Sequence, residues 1–277
     1  MKTYLINLDR SPDRLEWFMR STKDLNLDVV RIAGVDGSAL ADRELEDNRR
    51  KRRRPGVTLG RADIGCFLSH REAWRRVAEG QDRWAFIAED DIHFAPGAER
   101  FFSSDNWIPV DADIIKAETV FNPTRITIRN NPRAFGHLLR SLLSSHWGAG
   151  GYFINAQCAA NLVRWTEDVC DLPDNVLFDD SLEFFSRLRI YQIDPAICIQ
   201  DNLINSTGKV GLGSVRIDAN IEEGVTKQPV NTHKKRTVFA SLLRVVARPF
   251  EHVWRQKKLL IAGQWIKIIS FDNQRAG

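Results

Sequence analysis

Three adjacent carboxylates, Glu89-Asp90-Asp91, close the apolar run Trp84-Ala85-Phe86-Ile87-Ala88. Like charges this close repel one another unless a cation or solvent compensates them. Hard oxygen donors of this kind suit Mg2+ or Mn2+, and an ion held by one or two carboxylates can also bind the phosphates of a nucleotide. A solvated acidic turn is the plain alternative for the tripeptide alone. Upstream, Tyr4-Leu5-Ile6-Asn7-Leu8 is a strand that runs into Asp9, Arg10, Asp13 and Arg14, with Ser11-Pro12 suited to an N-cap and first helical position. Backbone N–H groups there, with Arg10 and Arg14, would favour an anionic ligand. Capping and surface charge explain the same residues without one. Ser69 and His70 are neighbours in a helical stretch, where adjacent side chains diverge, so they cannot form a catalytic dyad. They read as positioning residues, with a satisfied core histidine as the alternative.

Positioning these groups requires an alternation of short apolar strands and helices. The pattern predicts strands over Thr3–Leu8, Asp28–Ile32, Trp84–Ala88, Ile114–Lys116 and Gly151–Ile154, with a hairpin-like stretch at Thr119–Asn131. Helices are expected over Arg14–Leu25, Gly65–Ala78, Ala156–Thr166 and Leu182–Leu188. Such alternation argues for an α/β layer fold with a mostly parallel central sheet. Open α/β sheets place ligands at the strand-to-loop junctions, and those junctions carry Asp9, Asp36 and Glu89-Asp90-Asp91.

The 277 residues are 43% hydrophobic and 27% charged, enough apolar material for a real core, which excludes a fibre or a disordered tail. Cys66, Cys158, Cys170 and Cys198 are too scattered for a zinc finger or a disulfide framework. With no signal-peptide core at the start and no spanning stretch, the expectation is a cytoplasmic protein with at most peripheral contact with a membrane. Three parts are expected: a catalytic body over 1–207, a glycine-rich linker over 208–232 and a basic amphipathic helical tail over 233–277. From Lys234 to Lys267 there are nine Lys/Arg and one acid, interleaved with Phe239, Trp254 and Trp265. That excess of eight positive charges, set against a whole-chain net of +4, leaves the rest of the chain at −4. The tail suits an interfacial helix on anionic lipid, or docking on the body or on a second copy in a homodimer. The run Arg49–Arg54 has no interleaved aromatics and reads as a solvated or lipid-facing loop, not a nucleic-acid site.

Taken in order, several blocks resemble glycosyltransferase family 25: Ile6-Asn7-Leu8-Asp9-Arg10 with Asp13-Arg14, Val35-Asp36-Gly37, Ile64-Gly65-Cys66 with Ser69-His70, and Glu89-Asp90-Asp91. Gly150-Gly151-Tyr152-Phe153-Ile154, and Pro195 with Gln200, complete the set over residues 3–206. The chain departs from the family pattern at Ala62-Asp63, and at Leu177-Phe178-Asp179-Asp180-Ser181-Leu182, where an aspartate survives without its proline. The resemblance implies a nucleotide-sugar-binding fold of the GT-A type and inverting transfer of galactose or glucose from a UDP-sugar to a saccharide or glycolipid acceptor. It implies Mn2+ or Mg2+ at Asp91 and Glu89, and donor contacts from Asn7, Asp9, Arg10, Arg14, Asp36, Ser69, His70, Glu89, Asp90, Gly151 and Tyr152. Asp36 would accept from the uracil or ribose, or simply turn the chain. Gly151-Tyr152 would let backbone approach the sugar, or form a tight turn. The base would be Asp179 or Asp180, unless the pair caps the following helix. A sugar-binding scaffold without turnover and a nucleotidyltransferase are the alternatives.

Overall fold

The computed structural model describes residues 1–52, 58–204 and 258–273. Strand β1 (Lys2–Asn7) leads into helix α1 (Pro12–Ser21), with Pro12 in the first turn, where its missing N–H costs nothing. The expected helix to Leu25 breaks early. Thr22 Oγ1 donates back to Phe18 O at 2.7 Å, a 3-10 turn follows over Lys23–Leu25, and Asn26 takes a left-handed φ of 50°. Strand β2 (Asp28–Ala33) is followed by α2 (Asp42–Arg50), a polar helix with Leu45 as its one buried residue. So little apolar periodicity explains why the sequence pattern does not show it. Arg49 and Arg50 therefore lie on a helix, and the largely covered Arg52 side chain stands 3.9 Å from Asp171, which corrects the reading of 49–52 as part of a solvated loop. Residues 53–57 lie outside the described ones.

Helix α3 (Arg61–Glu79) and strand β3 (Trp84–Glu89) follow, then β4 (Ile92–Phe94), β5 (Ile114–Lys116), β6 (Pro123–Thr127), β7 (Arg133–Ala134), β8 (His137–Ser141) and β9 (Gly151–Asn155). The chain continues through α4 (Ala156–Trp165), α5 (Pro173–Phe178), α6 (Glu183–Ser186), β10 (Ile190–Asp194), β11 (Cys198–Gln200), α7 (Asp201–Ile204) and β12 (Gln264–Ile268). Eight strands form one mixed sheet in the order β2-β1-β3-β9-β5-β10-β8-β7. Strands β9 and β8 run against the other six, so the sheet is mostly parallel with two reversed members. Both faces are covered. Ala85 and Ile87 enter one core with Ile64, Trp74 and Leu162, while Trp84, Phe86 and Ala88 enter a second with Phe18 and Phe101. Burial on both faces is why β3 reads as a continuous apolar run.

The end of the chain differs from the expected tail. Strand β12 pairs antiparallel with β6, and Ile269 is fully buried in the first core. Thr119 Oγ1 donates to Ile269 O at 2.7 Å, and Lys267 Nζ contacts both carboxylate oxygens of Asp194 at 2.7 Å. Residues 264–272 are thus a strand and a docked segment of the body, not an interfacial helix, because their backbone pairs with β6 and Ile269 enters the first core, although Trp265 and Ile268 stay exposed. The expected linker at 208–232 and the tail over 233–257 lie outside the described residues.

One close approach sets the geometry of the loop after β2. A Cβ on Gly65 would stand 2.6 Å from Val35 O and 2.8 Å from Gly37 N, so the first turns of α3 lie directly against the Val35–Gly37 loop. Ser69 Oγ completes the clamp, accepting from Val35 N at 2.8 Å and donating to Gly65 O at 2.7 Å. Glycine-to-alanine inside a helix ordinarily stabilises by roughly 0.5–1 kcal/mol. Here the backbone clash dominates. Gly65→Ala should destabilise by about 1–3 kcal/mol, read as a lower urea midpoint at unchanged m-value; a raised midpoint would contradict the packing.

Candidate active site

The carboxyl ends of β1, β2, β3 and β5 share one edge of the sheet, where doubly wound folds bind ligands. At that edge Asn7 acts as a clamp. Its Nδ2 donates to Asp90 Oδ2 at 2.7 Å and to Ser11 O at 2.9 Å, and its Oδ1 accepts from Arg31 Nε at 3.0 Å. Arg14 Nη2 spans Asp90 Oδ1 at 2.5 Å and Asp91 Oδ2 at 3.0 Å. Both oxygens of Asp90 are engaged in holding two loops together. Asp91 is different: its Oδ1 is buried without a hydrogen-bond partner.

Glu89 is held from two sides. His70 Nε2 lies 3.1 Å from its Oε1, and Gln200 Nε2 donates to its Oε2 at 2.9 Å. Pairing of β11 with β4 puts Gln200 opposite Ile92, just beyond the acidic turn. Behind His70 stands a relay: Tyr152 Oη is 3.0 Å from His70 Nδ1 and accepts from Trp74 Nε1 at 2.8 Å. Trp74 can only donate, which leaves the Tyr152 proton for His70 Nδ1 and puts the ring proton on Nε2, facing Glu89. Burial pushes the Glu89 carboxyl up, but the hydrogen bond from His70, with Gln200 and the Arg14 charge, more than offsets it and holds it below its ordinary value.

Tyr152 is fully buried, so its phenol serves the core and the relay and does not face a ligand. A Cβ on Gly151 would meet Cys198 Sγ at 2.4 Å and Phe86 Cζ at 3.2 Å. The protein's own packing therefore requires the glycine, which corrects the expectation that Gly151 makes room for sugar.

Two carboxylates that no motif singles out join the cluster. Gly150 stands between Glu89 and Glu118: its carbonyl accepts from Glu89 N at 2.9 Å and its N–H donates to Glu118 Oε2 at 2.8 Å. Glu118 Oε1 is buried without a hydrogen-bond partner. Lys116, also fully buried, donates to Gly148 O, stands 3.7 Å from Glu118 Oε2 and lies 4.2 Å from the Phe178 ring centroid. Asp174 accepts from Gly148 N at 3.3 Å, and its side chain is half-buried. The only hint in sequence is the i, i+2 spacing of Lys116 and Glu118 at the end of a strand, which puts both on one face.

Burial is the main force on these groups. It raises Asp91 to about 7, with the Glu89 charge adding to it, and raises Glu118 to about 7 against the opposing pull of Lys116. Asp90 and Asp174 are raised for the same reason, partly offset in Asp90 by the Arg14 charge and in Asp174 by the Gly148 N–H. Five carboxylates thus face Arg14 and Lys116, the fixed cations beside them among the described residues. Orphaned oxygens on Asp91 and Glu118 and an uncompensated negative charge fit a hard divalent cation.

The other expected site residues sit apart from this cluster. Asp36 accepts from Ser38 N at 2.9 Å and Ser38 Oγ at 2.7 Å and pairs with Arg10 at 2.9 Å, capping a 3-10 turn. Asp9 is exposed and pairs with Arg31. Asp179 and Asp180 lie at the far end of α5 from Asp174. Asp179 is buried, accepting from Ser181 N at 2.9 Å, while exposed Asp180 accepts from Ser145 Oγ at 2.6 Å.

A family model described as glycosyltransferase family 25 (LPS biosynthesis protein) matches residues 1–180. The chain belongs to glycosyltransferase family 25. The lipooligosaccharide biosynthesis protein lex-1 of Haemophilus influenzae is 23% identical over 223 residues, covering 77% of this chain and 72% of that protein. The lacto-N-neotetraose biosynthesis glycosyltransferase LgtB of Neisseria meningitidis serogroup B is 27% identical over 165 residues, covering 53% and 58%. Among solved structures, the galactosyltransferase LgtC with donor and acceptor sugar analogs is similar at a TM-score of 0.34 and 12% identity, covering 70% of this chain and 73% of that one. At that score the likeness carries no argument.

In this family 25 glycosyltransferase the raised carboxylates predict an unusual acid-side stability. Asp91 and Glu118 keep their protons to about pH 7 when folded and lose them near pH 4 when unfolded. Between those values the unfolded state binds fewer protons, so their contribution to stability falls as pH rises. With chelator present, the urea midpoint should decline from about pH 5 to about pH 7.5 by more in the native protein than in Glu118→Gln, and Mn2+ should offset the loss at the upper end. Equal slopes in the two proteins would contradict the placement of Glu118.

Proposed function

We propose that this glycosyltransferase moves galactose or glucose from a UDP-sugar to a saccharide acceptor of lipopolysaccharide, lipooligosaccharide or another surface glycan, with inversion at the anomeric carbon, on a fold of the GT-A type. The observation that carries the reading is the cluster at the carboxyl edge. There a buried strand delivers Glu89-Asp90-Asp91 beside Glu118 and Asp174, with unpaired oxygens on Asp91 and Glu118. The family membership and the names of lex-1 and LgtB support the substrate class.

Asp91 and Glu89 would hold Mn2+ or Mg2+, with Glu118 behind them. The ion, when bound, would neutralise charge developing on the departing diphosphate. Arg14, pinned to Asp90 and Asp91, adds a fixed positive charge at the same place. The Trp74–Tyr152–His70 relay holds Glu89 in one orientation, so no side-chain freedom is lost when the donor binds. Asn7, Ser69 and Asp36 act on the donor through the loops that they clamp.

A base must take the proton from the acceptor hydroxyl as its oxygen bonds to the anomeric carbon and the bond to the diphosphate breaks. We assign that role to Asp174 in preference to Asp179 and Asp180. Asp174 joins the cluster, is half-buried and has a raised pKa, whereas Asp179 is enclosed and Asp180 faces Ser145. Peripheral contact with anionic lipid belongs to the same proposal through the composition of 234–257, and co-sedimentation with anionic vesicles tests it.

A radiolabelled UDP-sugar assay with and without Mn2+ tests the whole reading; no binding and no metal-dependent turnover or hydrolysis over a panel of UDP-sugars would reject it. Asp91→Ala should abolish metal-dependent activity with the fold retained. Asp174→Asn should lower kcat by about 10²–10⁴-fold with UDP binding near normal. A larger loss in Asp179→Asn or Asp180→Asn than in Asp174→Asn would move the base to that residue.

A further inference from the structure

The inner side of Glu89 carries a second set of donors. Cys66 and His70 are spaced i, i+4 on α3 and so project from one face of the helix. One donor atom from each of Cys66, His70 and Glu89 lies within 4.8 Å of the other two. A tetrahedral ion with bonds of about 2.0–2.3 Å sets neighbouring donors roughly 3.3–3.6 Å apart. The separations from Glu89 Oε1, 3.1 Å to His70 Nε2 and 3.8 Å to Cys66 Sγ, bracket that range before any ion is bound. Two further features match a metal site. Tyr152 holds the second nitrogen of the His70 ring, the arrangement that orients histidine ligands. Gln200 holds the other oxygen of Glu89, which turns Oε1 toward the helix. Cys66 is half-buried, unlike the other three cysteines, which are buried.

We propose that Cys66, His70 and Glu89 form a second metal site that takes Zn2+ or a like transition ion, distinct in chemistry from the hard-cation site at Asp91. Thiolate and imidazole select such ions over Mg2+ and Mn2+, which prefer oxygen. Binding releases the Cys66 thiol proton and moves the ring proton of His70 from Nε2 to Nδ1, which frees Nε2 for the ion. Tyr152 Oη then accepts from both His70 and Trp74, using its two lone pairs. Glu89 belongs to both sites, so Zn2+ should inhibit Mn2+-supported transfer without competing with the UDP-sugar. That consequence rests on the proposed function; the binding itself does not.

Co2+ titrated into the purified full-length protein, free of other metals, reports on the site without turnover. One equivalent should give a thiolate-to-cobalt charge-transfer band that Zn2+ abolishes. Cys66→Ser and Cys66→Ala, checked for native circular dichroism, should lose the band. Tyr152→Phe should keep it with about 10–100-fold weaker affinity, and Asp91→Asn should keep it unchanged. A failure of all glycosyl transfer leaves these outcomes standing. The proposal is overturned by the absence of a thiolate band at saturating Co2+. It is overturned equally by the same band in Cys66→Ala, or by loss of the band in Asp91→Asn.

Discussion

Glu89, Asp90, Asp91, Glu118 and Asp174 meet at one sheet edge with Arg14 and Lys116 as the fixed cations beside them among the described residues. Repulsion among buried carboxylates is costly, and most of the surrounding structure can be read as the means of tolerating it. Asp90 is neutralised by Arg14 and tied to Asn7. Glu89 takes hydrogen bonds from His70 and Gln200 on opposite sides. Asp91 shares Arg14 with Asp90, and Glu118 has the Gly150 N–H and Lys116, yet burial outweighs this partial relief and pushes both up to about 7. Of the five, these two each keep one buried oxygen unpaired, as expected of residues kept for a ligand and not for the fold.

Supports of the cluster come from distant parts of the chain. The Trp74–Tyr152–His70 relay joins α3 to β9, and the backbone of Gly150 links β3 to the segment after β5. Glycine recurs because backbones and side chains crowd at this edge. Gly148 has a left-handed φ of 87°, and a Cβ there would also stand 2.8 Å from Glu118 Oε2. Gly65 lets the Val35–Gly37 loop settle on α3. These contacts are short, so packing holds the site in place before any ligand arrives.

The C-terminal strand shows how composition can mislead about place. Trp265, Ile266, Lys267 and Ile268 have the alternation of cation and apolar residue that suits a membrane surface. Their neighbours supply a different outlet. Strand β6 offers unpaired backbone groups, Asp194 offers a carboxylate to Lys267, and a core takes Ile269. Pairing with the body satisfies both the hydrogen bonds and the charge.

Strand β3, helix α3 and the acidic turn were legible because burial on two faces writes an uninterrupted apolar run, and burial on one face of a long helix writes a 3.6 period. The sequence alone therefore determined the α/β class, the place of Glu89-Asp90-Asp91 at a strand end, and the family. Only the tertiary structure decided which carboxylates stand together. Glu118 and Asp174 reach the cluster by sheet order and by the Gly148–Gly150 backbone, and no local pattern records contacts between residues dozens of positions apart. It also decided that Tyr152 is a support and not a ligand contact, that α2 forms on polar residues, and that the last strand docks. Each of these depends on what lies opposite a side chain, which is a property of packing and not of spacing.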